Sequence, residues 1–361
     1  MALDRIALAD FRNHRASALE GALQFNLLLG DNGAGKTNIL EAVSLLAPGR
    51  GLRRAPPADM ARSGGAGGFS LGADLITPDD APVRLGTMAE PARSNRRLVR
   101  INGAETSAAT LGEWLSVAWL TPAMDGLFTD SAGARRRWLD RMTLAIVPAH
   151  ARAAIRYEEA LRERNRLLAE ESAPDPLWLG AIEQRLADHG ATLAAGRTAL
   201  VDALTQALGA TPDGPFARPL LAYHPTAPAD ESAFVEELAR SRARDRAAGR
   251  TLIGPHRDEL TVTMASSGAP AAQCSTGEQK ALLIAVTLAH AELAARGRPG
   301  VLLLDEVAAH LDPLRREALF ERLRGSGTQV WMTGTEAPPF AAILDEAARW
   351  HVASGEVTPL N

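Results

Sequence analysis

The spacing of apolar residues changes period twice along the chain. Near the N-terminus, ALADFRNHRA and ALQFNLLLG are short apolar runs that read as strands, the second closing at Gly30. TNILEAVSLLA then carries apolar residues at helical spacing and stops at Pro48. The stretch 49–68, rich in Gly, Pro and Arg, reads as an exposed loop. VRLGTM and RRLVRING return to strand character, with Asn102-Gly103 as a hairpin signal, and SVAWLTP closes the block.

From about Ala132 to Leu208 the period is helical, with dense charge between the apolar positions. Pro174 and Pro176 divide this region into two stretches, which fit either an antiparallel helical arm or a plain helical subdomain. Residues 209–230 read as a Pro- and Ala-rich connector, and the charged helix SAFVEELARSRARDRAAG follows, leading to TLIGPHRDEL. The last hundred residues alternate QKALLIAVTLAHAELAA, VLLLDEV, a helix and TQVWMTG, the pattern of a parallel sheet with crossover helices. No fixed-period repeat is visible.

Composition narrows the function classes. The 361 residues are 46% apolar with a net charge of −4, which excludes a uniformly basic nucleic-acid coat but not local basic patches. A single cysteine, Cys274, excludes an intramolecular disulfide framework and a four-cysteine zinc site. No apolar run reaches the roughly 18–20 residues of a membrane helix, and the charged N-terminal MALDRIALADFRNHR does not read as a secretory signal, so a cytoplasmic location is expected. Only two of the 39 basic residues are lysines, Lys36 and Lys280. Where arginine serves almost everywhere, a remaining lysine marks a place where a compact ammonium is needed.

Lys36 lies in GDNGAGKT, residues 30–37, between a strand and a helix. This is the phosphate-binding pattern G-x-x-x-x-G-K-[ST]. Gly30, Asp31, Asn32, Gly33, Ala34 and Gly35 supply a loop whose backbone N–H groups can face a polyphosphate, aided by the helix N-terminus. Lys36 is expected to reach the β- and γ-phosphates of ATP, and the Thr37 hydroxyl to ligate Mg²⁺. VLLLDE places Asp305 and Glu306 at the C-terminal end of a buried strand, where ligands of α/β sheets bind. Asp305 is expected to hold Mg²⁺ and Glu306 to polarise the attacking water. DEVAAHLD then has the spacing of the Walker B glutamate and D-loop of ABC-type ATPases, ending at Asp312. CSTGEQ, 30 residues before Asp305, opens a helix and resembles the ABC signature, with Ser275 and Gly277 as its contact residues. Ser275 and Glu278 equally fit a capping box. In ABC-type ATPases the signature closes on the nucleotide of a partner subunit, which makes a head-to-tail dimer.

With these residues the chain resembles the RecF family, recombination mediator ATPases related to the SMC proteins. FRNH at 11–14, GDNGAGKTN with Asn38, LTPAMDGLF and ARRRWLD within 120–140, YEEALRERNRLL at 157–168 and TLIGPHRDEL at 251–260 are similar to family segments, in order. The resemblance implies an α/β, ABC-type P-loop ATPase head with an inserted short helical arm: head at 1–131, arm or lobe at 132–250, head again at 251–361. It implies ATP and Mg²⁺ as cofactors, Asn38 beside the nucleotide, and a homodimer formed on ATP binding. It also implies weak DNA-stimulated ATP hydrolysis, a clamp on single-strand gaps or junctions that helps load recombinase, RecO and RecR as partners, and a part in the SOS response. The rival readings are the ATP-binding subunit of an ABC transporter, against which GPHRDE and the arm argue, and a small-molecule kinase, which needs neither signature nor D-loop. The chain departs from ABC ATPases at Thr121-Pro122, in place of a glutamine, and at Thr333-Gly334-Thr335, in place of a switch histidine; slow hydrolysis is expected. Ala123 stands where the family commonly has an acidic residue, and His310 lies outside the switch position. An arm of about 35 residues per helix would span roughly 50 Å. Candidate DNA contacts are the arginine clusters at 93–100, 135–137 and 240–250, each also readable as a solvated face.

Overall fold

The computed structural model describes all residues except 1, 78–81, 171, 173, 211–213 and 361, and the side chain of His310. In chain order the elements begin with β1 (Leu3–Phe11), β2 (His14–Glu20), β3 (Phe25–Leu29), α1 (Lys36–Ser44), α2 (Pro57–Met60), β4 (Phe69–Ile76), β5 (Pro82–Ala89), β6 (Arg97–Ile101), β7 (Ala104–Thr106), α3 (Leu111–Trp114) and β8 (Ser116–Leu120). Next come α4 (Ala132–Ile146), α5 (His150–Leu168), α6 (Pro176–Ala210), β9 (Pro219–His224), α7 (Glu231–Ala248) and β10 (Glu259–Met264). The chain closes with α8 (Thr276–Ala294), β11 (Gly300–Leu304), α9 (Pro313–Gly325), β12 (Gln329–Gly334), β13 (Ala347–Ala353) and β14 (Glu356–Leu360). They form two compact units, the first 1–125, 212–217 and 280–361, the second 126–211 and 218–279.

The first unit holds two sheets of described strands. One runs β14-β13-β3-β12-β11-β8, parallel except for the terminal β13–β14 hairpin. The inner strands FNLLL, QVWMTG and GVLLL, and the edge strand SVAWL beside them, are buried at every position, as strands covered on both faces must be. The other runs β2-β1-β4-β5-β6-β7 and is antiparallel throughout. In β4, Phe69, Leu71, Ala73 and Leu75 alternate inward, and Phe69 meets Phe11 edge-on at 5.2 Å. ALADFRNHRA, read from sequence as one strand, is a hairpin: Arg12 takes φ 55, and Phe11 pairs with His14.

The second unit differs from its expectation in two ways. Segment 251–279, placed in the head by sequence, clusters with the helices, because β10 pairs antiparallel with β9. β9 itself lies within the expected connector 209–230, of which 211–213 fall outside the described residues. The helical pair is also unequal. Only α6 reaches 35 residues, and it packs with α4 (15 residues), α5 (19 residues) and α7. Of the two readings left open, arm or helical subdomain, the packing of these helices is that of a multihelix lobe.

Buried ions tie the lobe together. Arg164 is fully buried on α5 and donates to Glu183 of α6 at 3.0 Å, to Asp245 of α7 at 2.7 Å and to the Thr251 hydroxyl at 2.7 Å. Its neighbour Asn165 accepts from the Thr251 backbone N–H at 2.8 Å. The GPHRD turn is held in the same manner. Asp258, fully buried, accepts from Arg197 at 3.1 Å, from the Thr226 N–H at 2.8 Å and from the Tyr223 hydroxyl. His256 accepts from the Tyr157 hydroxyl at 2.7 Å and bonds the Thr251 carbonyl at 2.9 Å. Burial holds its imidazole below the ordinary histidine value, against the opposing backbone bond to Thr251. Gly254 permits the turn: φ is 118, and a Cβ would sit 2.4 Å from the Tyr157 hydroxyl.

Removing one member of a buried ionic set strands the others. Arg164→Ala is expected to cost about 3–5 kcal/mol in urea unfolding, against less than about 1 kcal/mol for Arg240→Ala, whose pair with Glu237 is exposed. Equal losses for the two would contradict the hub role of Arg164.

Candidate nucleotide-binding site

The parallel sheet places the candidate site residues at the C-terminal ends of β3, β11 and β12. After Leu29 the chain leaves β3 at Gly30, where a Cβ would lie 2.1 Å from the Val352 carbonyl of neighbouring β13. The loop turns through Gly33 (φ 81) and Gly35 (φ 119) and enters α1 at Lys36. Asp31, Asn32 and Gly33 are exposed; Ala34, Gly35 and Lys36 are buried.

Three contacts hold this loop from outside. Asn13 Nδ2 and the Gly355 N–H both donate to the Ala34 carbonyl, each at 2.9 Å. His14 Nε2 bonds the Gly35 carbonyl at 3.1 Å. Asn38 donates to Asn13 Oδ1 at 2.7 Å, so the loop, α1 and the β1–β2 turn form one net. Burial keeps His14 below the usual imidazole value, with its bonds to Gly35 and Gly355 opposing. Arg12 forks onto fully buried Glu41 of α1 at 2.9 and 2.6 Å, and Arg53 adds a bond at 2.7 Å.

Lys36 Nζ donates to the carbonyls of Gly30 at 2.6 Å and Asp31 at 2.9 Å. Burial lowers its pKa, against the raising effect of Glu306, Asp305 and Asp31. Thr37 Oγ1 donates to Asp305 at 2.9 Å. Asp305, itself buried, also accepts from the Thr333 hydroxyl at 2.9 Å, and that hydroxyl accepts the Glu306 N–H at 2.9 Å. Burial raises the Asp305 carboxyl above the usual range, although both threonine bonds favour its charged form. Glu306 holds φ 56, an uncommon conformation for a residue with a side chain.

The structure thus brings residues 30–38, Asp305 and Glu306 together. Asp312 caps α9, accepting from the Arg315 N–H at 2.9 Å, and is exposed. Lys280 pairs with Asp125 at 3.3 Å. In the second unit the capping box is formed: Ser275 N–H and Oγ both donate to Glu278 at 2.8 Å, and the Glu278 N–H donates back to Ser275 Oγ at 3.4 Å. Ser275 and Gly277 are exposed.

The family model of the RecF/RecN/SMC N-terminal domain matches residues 2–345. A "DNA replication and repair protein RecF" of Mesorhizobium japonicum is 49% identical over 99% of this chain and 97% of its own length. A protein of the same name from Allorhizobium ampelinum is 48% identical over 96% and 95%. The chain belongs to the RecF family. A solved structure of the recombination mediator protein RecF with ATP, from the RecFOR pathway, superposes with a TM-score of 0.86 at 22% identity, covering all of this chain and 98% of that one. An Smc head domain with extended coiled coil from Pyrococcus furiosus superposes at 0.54 and 14% identity, covering 100% and 97%. The α/β ATPase-head fold expected from sequence is therefore present.

Within this RecF-family site, sequence reasoning missed Glu41, Arg53, Gly355 and the bonds of Thr333. FRNH is visible in sequence as a segment, but its place as a bracket on the loop depends on contacts 21 residues apart. The one available signal for the terminal hairpin was Ser354-Gly355 between alternating runs.

Gly35→Ala places a methyl 2.7 Å from the amide of Asn13 and 2.8 Å from His14 Nε2, both already committed to loop carbonyls. It is expected to destabilise by about 2–3 kcal/mol, through backbone strain and the displaced bonds. Gly33→Ala meets open space and is expected to cost about 1 kcal/mol. Urea unfolding of both variants checks the order, and a reversed order contradicts the bracket.

Proposed function

We propose that this chain is an ATP-dependent DNA-binding protein of recombinational repair and replication restart. It binds ATP with Mg²⁺, closes as a head-to-tail homodimer on single-strand gaps or junctions, and reopens on weak, DNA-stimulated hydrolysis. Helping to load recombinase, with RecO and RecR as partners, and a part in the SOS response complete the reading.

The observation that carries it is the cluster of Lys36, Thr37, Asp305 and Glu306 at the sheet's end, in a chain whose curated relatives are named for replication and repair. The glycine loop supplies N–H donors to a polyphosphate, and Lys36 exchanges its two carbonyl partners for phosphate oxygens. Thr37 and Asp305 are hard oxygen donors held 2.9 Å apart, a set that suits Mg²⁺, which supplies charge neutralisation at the phosphates when bound. Glu306 orients the attacking water and takes its proton. Ser275, Gly277 and Asp312, all exposed, are assigned to the partner subunit's nucleotide.

The arginines divide by their contacts. Arg97 is half-buried and committed to the carbonyls of Ala47, Gly49 and Leu45, and partial burial lowers its pKa to about 10. Arg135 forks onto Glu259, Arg136 reaches the Asp258 carbonyl, and Arg242 holds Glu183. Arg93, Arg100, Arg137, Arg244 and Arg250 are exposed and are the better candidates for phosphate contacts.

Glu306→Gln keeps the shape of the carboxylate without its basicity. It is expected to bind ATP normally, hydrolyse at least about 100-fold more slowly and accumulate as a dimer on gapped DNA. Mass in solution with ATP, with and without gapped DNA, checks this. A variant that binds ATP and stays strictly monomeric contradicts the clamp.

A further inference from the structure

We infer that Thr333 is the positioning residue that makes Asp305 and Glu306 act as a pair. The inference rests on the nucleotide-binding reading above and deepens it. Parallel pairing of Leu304 with Met332 brings the end of β11 beside Thr333 of β12. Thr333 is 1% exposed, and its one hydroxyl proton goes to Asp305 Oδ1 at 2.9 Å. A lone pair of the same oxygen receives the Glu306 N–H, also at 2.9 Å. One atom therefore orients the Asp305 carboxylate through its side chain and the Glu306 carboxylate through its backbone. It also pins Glu306 in its φ 56 conformation, the backbone from which the proposed base projects.

No neighbour in sequence can take this part. At Gly334 a Cβ would lie 2.4 Å from the Phe340 ring, which is itself fully buried, so a side chain at 334 is excluded while Phe340 holds its place. Thr335 is exposed. Position 334, the last of β12, therefore has no space for a histidine while Phe340 keeps its place. Order at the site comes instead from a hydroxyl one residue earlier. That hydroxyl shares Asp305 Oδ1 with Thr37, the first-turn residue of α1. When Thr37 serves a cation, Thr333 is the remaining described hydroxyl donor that fixes the Asp305 carboxylate.

The test compares the full-length wild type with Thr333→Val, which keeps the branched shape without the hydroxyl, and Thr333→Ser, which restores it. ATP affinity is measured in EDTA and across a magnesium titration, turnover is measured as kcat and KM, and thermal unfolding is recorded. Thr333→Val is expected to bind ATP in EDTA within twofold of wild type. Its kcat should fall at least tenfold with KM changed less than threefold, and its half-maximal magnesium concentration should rise several-fold. Thr333→Ser should return all three to within threefold. Wild-type kcat and magnesium dependence in Thr333→Val overturns the inference, as does an equal loss of ATP binding in EDTA, which marks general damage. If Thr333→Val does not fold, Thr333→Cys, close in size and a far weaker hydrogen-bonding group, decides by the same criteria. A wild type that binds no ATP overturns the nucleotide reading itself, and this inference with it.

Discussion

A buried carboxylate at the end of a parallel sheet organises the first unit. Asp305 lies where β11 stops, out of reach of bulk water, and no cation bonds it among the described residues. Such a group is costly unless hydrogen-bonded. The hydroxyls of Thr37 and Thr333 meet that need, and in doing so they fasten α1 and β12 to the end of β11. The glycine loop is thereby pinned at its helical end, while Asn13, His14 and Gly355 pin it from outside. A carboxylate whose only described partners are two neutral hydroxyls also retains its attraction for a divalent cation.

The second unit solves a related problem with full charges. Arg164 bonds Glu183, Asp245 and the Thr251 hydroxyl, all buried, and Arg197 bonds fully buried Asp258, the Pro255 carbonyl and part-exposed Asp140, so each ties separated segments together. Arrangements of this kind contribute less to net stability than to the choice of one packing, since each member is costly if stranded. Aromatic residues are few, 4% of the chain, so the lobe has few bulky side chains with which to fix helix register. The buried arginines perform that function between α4, α5, α6 and α7.

Legibility in the sequence followed the range of the interactions. The P-loop, the acidic strand end and the capping box are local patterns whose physics is complete within a few residues, and each was readable from spacing alone. The alternation of helix and strand after Gln279 also translated directly into the parallel sheet. The choice between an arm and a plain helical subdomain did not, because helical period says nothing about how many helices share one core. Tyr157, His256 and Arg197 acquire their roles through partners 99 and 58 residues away. Thr333 stood out only as a missing histidine; its contribution depends on strand register, which a single sequence does not reveal. The arginine clusters looked alike in sequence and proved different in burial.

Direct ATP binding to wild type and to Lys36→Ala tests the central claim, that the glycine loop and the cluster around Asp305 form a nucleotide site. Lys36 is buried and held by the Gly30 and Asp31 carbonyls, 2.6 and 2.9 Å from Nζ. A charged hydrogen bond in such a place is worth about 1.5–3 kcal/mol, so the variant should bind ATP roughly 10- to 100-fold more weakly than wild type. Equal affinity in the two proteins would contradict the account.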